Sequence, residues 1–125
     1  MKKVISTENA PAAIGPYSQA IQTDNMLFSS GQLGMNPATG EFIPGGVKEQ
    51  TIQVFKNIHA ILDEAGFTTD NIVKTTVFLA DMADFAVVNE VYAQQFTGSF
   101  PARSAVAVKT LPKNGLVEIE FVAVR

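Results

Sequence analysis

Few side chains in this sequence are equipped for chemistry. Its 125 residues include two arginines, Arg103 and Arg125, one histidine, His59, and no cysteine. The lack of a thiol excludes disulfides, thiolate metal sites and a cysteine nucleophile. His59 has no second histidine or carboxylate pair at ligand spacing, so no metal site is expected. A serine hydrolase would have to use His59, which falls inside an amphipathic helix with no nucleophile elbow in the sequence. His59 is therefore read as a helix-surface residue. Gly31-Gln-Leu-Gly34 matches neither a dinucleotide fingerprint nor a phosphate-binding loop.

Arg103 stands apart. In Pro101-Ala-Arg-Ser-Ala105 it lies among small residues on an expected strand, short of polar neighbours. Its planar guanidinium carries two parallel N–H donors that match a carboxylate. Residue types leave two readings open: an ion pair with Glu118 or Glu120, or a clamp for a carboxylate ligand. Glu118 is expected on the same sheet face as Arg103, where a carboxylate can hold or activate a water. Glu120, two residues on, is the spare candidate. Ser30, Gly31 and Gln32 follow a strand end, where they either meet a ligand or make an ordinary turn. Tyr17 either offers its hydroxyl to a ligand or is a core aromatic. Asn89 falls in the second expected helix, where a solvated position is the ordinary reading.

The elements that must position these residues follow from periodicity. Residues 4–6 read as a short strand, and residues 10–16, with two prolines and a glycine, as a fixed loop. Residues 20–23 and 26–30 flank Asp24-Asn25 as a hairpin. Turn residues dominate 36–40 and 44–46. Helical spacing of Ile52, Phe55, Ile58, Ile61, Leu62 and Ala65 predicts a helix over 47–65, stopped by Gly66. A β-branched strand spans 71–80. Asp81 is placed to cap a second helix over 82–96, which carries Phe85, Val88, Tyr92 and Phe96. Strands over 103–108 and 117–124 complete the chain.

This order predicts an α+β fold, a mixed sheet of about six strands with two helices packed on one face. A single domain over 1–125 is expected. On the last strand Val117, Ile119 and Phe121 oppose Glu118, Glu120, Val122 and Val124. The sheet face away from the helices is thus partly apolar, and a second copy of the chain is the expected cover.

Composition bounds the partners. Hydrophobic residues make up 46% and charged residues 17%, with a net charge of −3. Seven scattered lysines give no basic groove, so no nucleic acid is expected. The N-terminal Met-Lys-Lys-Val-Ile-Ser-Thr-Glu has no apolar stretch of signal-peptide type, and no apolar run has the length of a membrane span. A cytoplasmic location is expected.

Longer motifs now carry a resemblance. Pro101-Ala-Arg-Ser-Ala-Val-Ala-Val-Lys-Thr-Leu111, followed by Val117-Glu-Ile119, resembles the signature of the RidA/YjgF family. So do Asn9-Ala-Pro-Ala-Ala-Ile-Gly-Pro-Tyr-Ser-Gln19, Ser29-Ser-Gly-Gln32, Asn36-Pro-Ala-Thr-Gly-Glu41, Val73-Lys-Thr-Thr-Val-Phe78 and Asp84-Phe-Ala-Val-Val-Asn89. The resemblance implies a chorismate-mutase-like fold and a homotrimer with inter-subunit sites. It implies hydrolysis of 2-iminobutanoate and 2-iminopropanoate to 2-oxo acids and ammonia, with no cofactor. By the same resemblance Arg103 binds the substrate carboxylate and Glu118 positions water. Tyr17, Ser30, Gly31 and Asn89 line the pocket. Many family members have cysteine where this chain has Ala105. The main-chain groups that face the substrate nitrogen there remain, so deamination is expected to persist and thiol-dependent behaviour to be absent.

Overall fold

The computed structural model describes all 125 residues. Its strands are β1 (Lys2–Ile5), β2 (Ala20–Thr23), β3 (Met26–Ser29), β4 (Gln32–Leu33), β5 (Ile72–Leu79), β6 (Ala102–Ala107) and β7 (Val117–Val124). The helices are α1 (Val47–Ala65) and α2 (Phe85–Ala93). The strands form one seven-stranded sheet in the order β1-β2-β3-β7-β5-β6, with β4 also paired to β7. Every pairing is antiparallel except β5 with β6. Parallel neighbours need a crossover, because the chain must return to its starting end. That crossover is α2, which lies over the strands it joins.

α1 forms because its apolar residues recur on one face. Val54, Phe55, Ile58, Ile61 and Leu62 are buried in the core, and Ile58→Ala would cost about 2–5 kcal/mol. The helix opens with the Glu49 carboxylate accepting the Gly46 N–H at 2.8 Å. It ends at Gly66, whose φ of 77° is open to glycine at little steric cost. There the Gly66 and Phe67 amides donate back to Asp63 and Leu62, satisfying two terminal carbonyls.

Alternation along β7 buries Val117, Ile119, Phe121 and Ala123 beneath the helices. The opposite face carries no helix. Register sets Val4, Ile21, Phe28 and Val122 in one row across it, and Val106, Phe78 and Glu118 in another. Phe28 is 40% and Val106 45% exposed, which matches the partly apolar, uncovered face expected from sequence.

Several boundaries differ from the periodicity. β1 starts at Lys2 and ends at Ile5 rather than spanning 4–6. β4 adds a seventh strand in the segment read as a turn, because Gln32 and Leu33 find pairing partners in Ile119 and Glu118. The second helix is shorter than 82–96. Asp81 caps a single 3-10 turn, Met82–Asp84, by accepting the Ala83 N–H at 2.9 Å. α2 proper ends at Ala93, and Phe96 leaves the helix to pack on the rings of Phe55 and Tyr92. No helix is long and apolar enough to cross a membrane.

Candidate functional site

The parallel register of β5 and β6 pairs Arg103 with Thr75, and Thr75 in turn pairs with Phe121 of β7. Arg103 therefore shares the helix-covered face with Phe121. Glu118 pairs with Phe78, on the uncovered face. The expectation that Arg103 and Glu118 share a face is wrong for one chain. Alternation within each strand was legible, but the relative phase of two strands is set by pairing through β5. The same geometry corrects the ion-pair reading. The only ion pair joins the N-terminus to Asp24 at 3.9 Å, and no carboxylate reaches Arg103.

Around Arg103 the helix-covered face ends in a cleft of about 460 Å³, lined by Asn89, Tyr92, Ala93, Phe100, Pro101 and Arg103. Arg103 Nη1 donates to Asn89 Oδ1 at 2.6 Å. The guanidinium carbon lies 4.8 Å from the Tyr92 ring centroid and 5.2 Å from that of Phe85. These contacts hold the cation with two rings and one amide oxygen, leaving further N–H groups for an incoming acid. Asn89 is exposed on α2, as its solvated reading expected, and its side chain is in addition tied to Arg103. Ala105 lies two residues along β6, on the same face. The Val108 amide donates to Leu79 of β5 at 2.8 Å. Backbone groups alternate sides along a strand, so those of Ala105 face the open edge of the sheet.

Around Glu118 the uncovered face holds a second cleft of about 480 Å³, whose walls include Ile14, Tyr17, Ser30, Gly31, Lys113 and Glu118. Tyr17 is 53% exposed, which rules out the core-aromatic reading. Ser30 donates its hydroxyl to the Ser18 carbonyl at 2.6 Å, which keeps its oxygen available as an acceptor. Gly31 lies against the Glu118 carboxyl. A Cβ there would overlap it, standing 2.7 Å from Cδ. Glu118 is half-buried, and that burial, followed by the nearby charge of Glu120, raises its pKa above the usual carboxylate value. Glu120 is exposed on the same face.

The loops of this second cleft are held from inside by amides. Gln19 donates to the Thr7, Ala10 and Pro11 carbonyls and accepts the Thr7 N–H. Asn57, fully buried on α1, donates to the Leu33 and Met35 carbonyls at 3.0 Å each.

The sequence-predicted residues thus fall into two groups. Arg103, Asn89 and Ala105 gather on one side of the sheet, and Tyr17, Ser30, Gly31 and Glu118 on the other. His59 is exposed on α1, far in kind from either group, as its surface reading expected. No group of three or more potential metal-binding side chains exists. Sequence reasoning missed Phe85 and Tyr92 as partners of the guanidinium. Their spacing from Asn89, four residues before and three after, places all three on one helical stripe and was the available signal. Lys113 in the second cleft was also missed, because a loop residue at φ 54° carries no periodic signature.

Comparison with known proteins follows this geometry. The Endoribonuclease L-PSP family model matches residues 7–125. A Bos taurus protein named 2-iminobutanoate/2-iminopropanoate deaminase is 56% identical over 125 residues, covering 100% of this chain and 91% of its own. A Mus musculus protein of the same name is 54% identical, covering 100% and 93%. The crystal structure of a Rid family protein from Yersinia pestis superposes with a TM-score of 0.97 at 52% identity, covering both chains fully.

Proposed function

This chain belongs to the Endoribonuclease L-PSP family, the RidA/YjgF family of the sequence resemblance, and from that premise we propose that it is a 2-iminobutanoate/2-iminopropanoate deaminase with sites shared between copies. The observation that carries the reading is Arg103. It is a half-buried cation without an acidic partner, braced on aromatic rings at the mouth of a cleft. Such a group suits a small carboxylate, and the full-length relatives carry the name of an enzyme whose substrates are imino acids.

The chemistry fits the residues. Arg103 grips the carboxylate, and the edge-facing Ala105 carbonyl accepts a hydrogen bond from the iminium nitrogen. Glu118 takes a proton from water as its oxygen bonds to the imine carbon. It then returns that proton to nitrogen and takes up the hydroxyl proton as the C=O bond forms and the C–N bond breaks, and the departing ammonia carries this proton away as ammonium, leaving a 2-oxo acid. A protonated imine is already electrophilic, so the barrier to be lowered is small and no cofactor is required. Tyr17, Ser30 and Gly31 complete the wall on the Glu118 side.

Arg103 and Glu118 occupy opposite faces of one chain, which supports a composite site. The cleft of one copy would supply Arg103, Asn89 and Ala105, and the cleft of the next would supply Tyr17, Ser30, Gly31 and Glu118. The uncovered apolar face supplies a surface for that contact. A closed ring of three copies, in the cytoplasm, is the assembly this reading adopts.

The test generates the imine with a threonine dehydratase and traps it with semicarbazide. Catalytic amounts of the protein are expected to suppress semicarbazone formation. Suppression only at stoichiometric amounts would replace the enzyme with a carboxylate-binding protein, and no suppression would end both readings.

A further inference from the structure

An arginine that captures a small acid must first be held still. Its side chain has several rotatable bonds, and their freedom is lost when the guanidinium is fixed against a ligand. Asn89 fixes one nitrogen of Arg103 but leaves the plane of the group free to turn. The plane is set by what lies against its face.

Tyr92 provides that surface, and it is itself unusually well anchored. The residue is 3% exposed. Its hydroxyl meets Thr75 Oγ1 at 2.6 Å, and Thr75 is 1% exposed. Thr75 is also the residue paired with Arg103 across β5 and β6. The Tyr92 ring is therefore tied at its far end to the neighbour of the residue it supports. Phe55 meets it edge-on at 5.7 Å and Phe96 lies tilted against it at 5.1 Å, so two aromatic neighbours pack the ring in place. The Arg103 guanidinium lies over the ring, 4.8 Å from its centroid. A buried hydroxyl pair inside an aromatic cluster needs a reason to exist where two apolar side chains would pack as well.

We infer that Tyr92 is a positioning residue, which orients the Arg103 guanidinium for its acid ligand through a ring face held chiefly by the packing of Phe55 and Phe96, with the buried Tyr92–Thr75 hydrogen bond as a secondary anchor. Tyr92 acts on the ligand through Arg103 in this arrangement. Phe85, 5.2 Å from the same cation, is the second and less constrained support. The inference deepens the deaminase reading and rests on Arg103 being its carboxylate clamp.

The test uses Tyr92→Leu, which removes the ring, and Tyr92→Phe, which keeps it. With two arginines in the chain, the side-chain N–H spectrum holds two signals, and Arg125, stacked on Phe67 at 4.6 Å, is an internal control. Tyr92→Leu is expected to shift and broaden the Arg103 signal, to leave that of Arg125 in place, and to raise KM roughly tenfold with a smaller change in kcat. Tyr92→Phe is expected to restore KM to within about twofold of wild type. If Tyr92→Leu does not fold, Tyr92→Met, whose flexible side chain fills more of the space while still removing the ring, takes its place. An unmoved Arg103 signal with unchanged KM in a folded ring-deletion variant overturns the inference. Equal damage from Tyr92→Phe and Tyr92→Leu overturns it as well, since the ring would then not be the active part. Should the wild-type protein show no turnover, the deaminase reading falls separately. The Arg103 signal and the dissociation constant for 2-oxobutanoate would still decide the role of Tyr92.

Discussion

The two clefts are built by different means. The Arg103 cleft rests mainly on regular elements, with Arg103 on β6 and Asn89, Tyr92 and Ala93 on α2, and its cation is fixed by rings and one amide oxygen. The Glu118 cleft sets Leu33 of β4 and Glu118 of β7 among residues outside the strands, and Gln19 and Asn57 hold the neighbouring segments by hydrogen bonds to their backbone. One cleft is organised around a charge that needs no titration. The other presents a carboxyl whose ionisation is already disfavoured by burial. The proposed roles make different demands: a carboxylate clamp needs rigidity in a side chain, and a proton carrier needs a particular electrostatic setting.

The sharpest way to break this contrast is to separate the halves genetically. Arg103→Ala and Glu118→Ala are each expected to lower deamination by about 100-fold or more while leaving the assembly intact. Unfolded and refolded together, the two variants should regain roughly a quarter of wild-type turnover, the share of contacts that unite two intact halves. No recovery from a mixture that demonstrably exchanges subunits would place both residues in the same copy's site. Gly31→Ala comes next. Its Cβ would displace the Glu118 carboxyl, so turnover is expected to fall roughly tenfold or more. Binding of 2-oxobutanoate at the Arg103 side should weaken far less.

Asn57→Ala probes the scaffold of the second cleft alone. Two loop carbonyls would lose their donor, at a cost of about 2–3 kcal/mol in stability by denaturant titration. Hydrogen exchange is expected to rise in residues 33–36 and to stay unchanged in β6. The smallest effect concerns pH. Glu120 raises the pKa of Glu118 by like-charge repulsion, so Glu120→Gln is expected to lower it. If Glu118 acts ionised, the acid limb of the kcat/KM profile should move to lower pH in that variant. A limb that does not move would separate Glu118 from the titration that limits the rate.

Regular structure was largely legible from sequence, and for identifiable reasons. α1 was read with the boundaries found, because its apolar spacing and Gly66 act locally. β7 was likewise correct, since its alternation spans eight residues. β4 was invisible, because a two-residue strand has no period and exists through pairing with β7. Arg103 was singled out by its small neighbours, and Gly31 by its place after a strand. Tyr92 was read only as one of the residues along the second helix. It is a core aromatic, and its further role depends on Thr75 and Arg103, which lie 17 and 11 positions from it and meet it only when β5, α2 and β6 assemble.

The sequence by itself determined both helices and all strands but one to within a few residues, which side of the last strand is apolar, and which few side chains could do chemistry. Those properties depend on spacings of two to four residues along the chain. Only the tertiary structure decided that Arg103 and Glu118 face opposite ways, that Arg103 has no acidic partner, and that its cation lies on Tyr92. Those outcomes depend on strand order and register, and an inserted β5 couples two strands whose relative phase neither can encode alone.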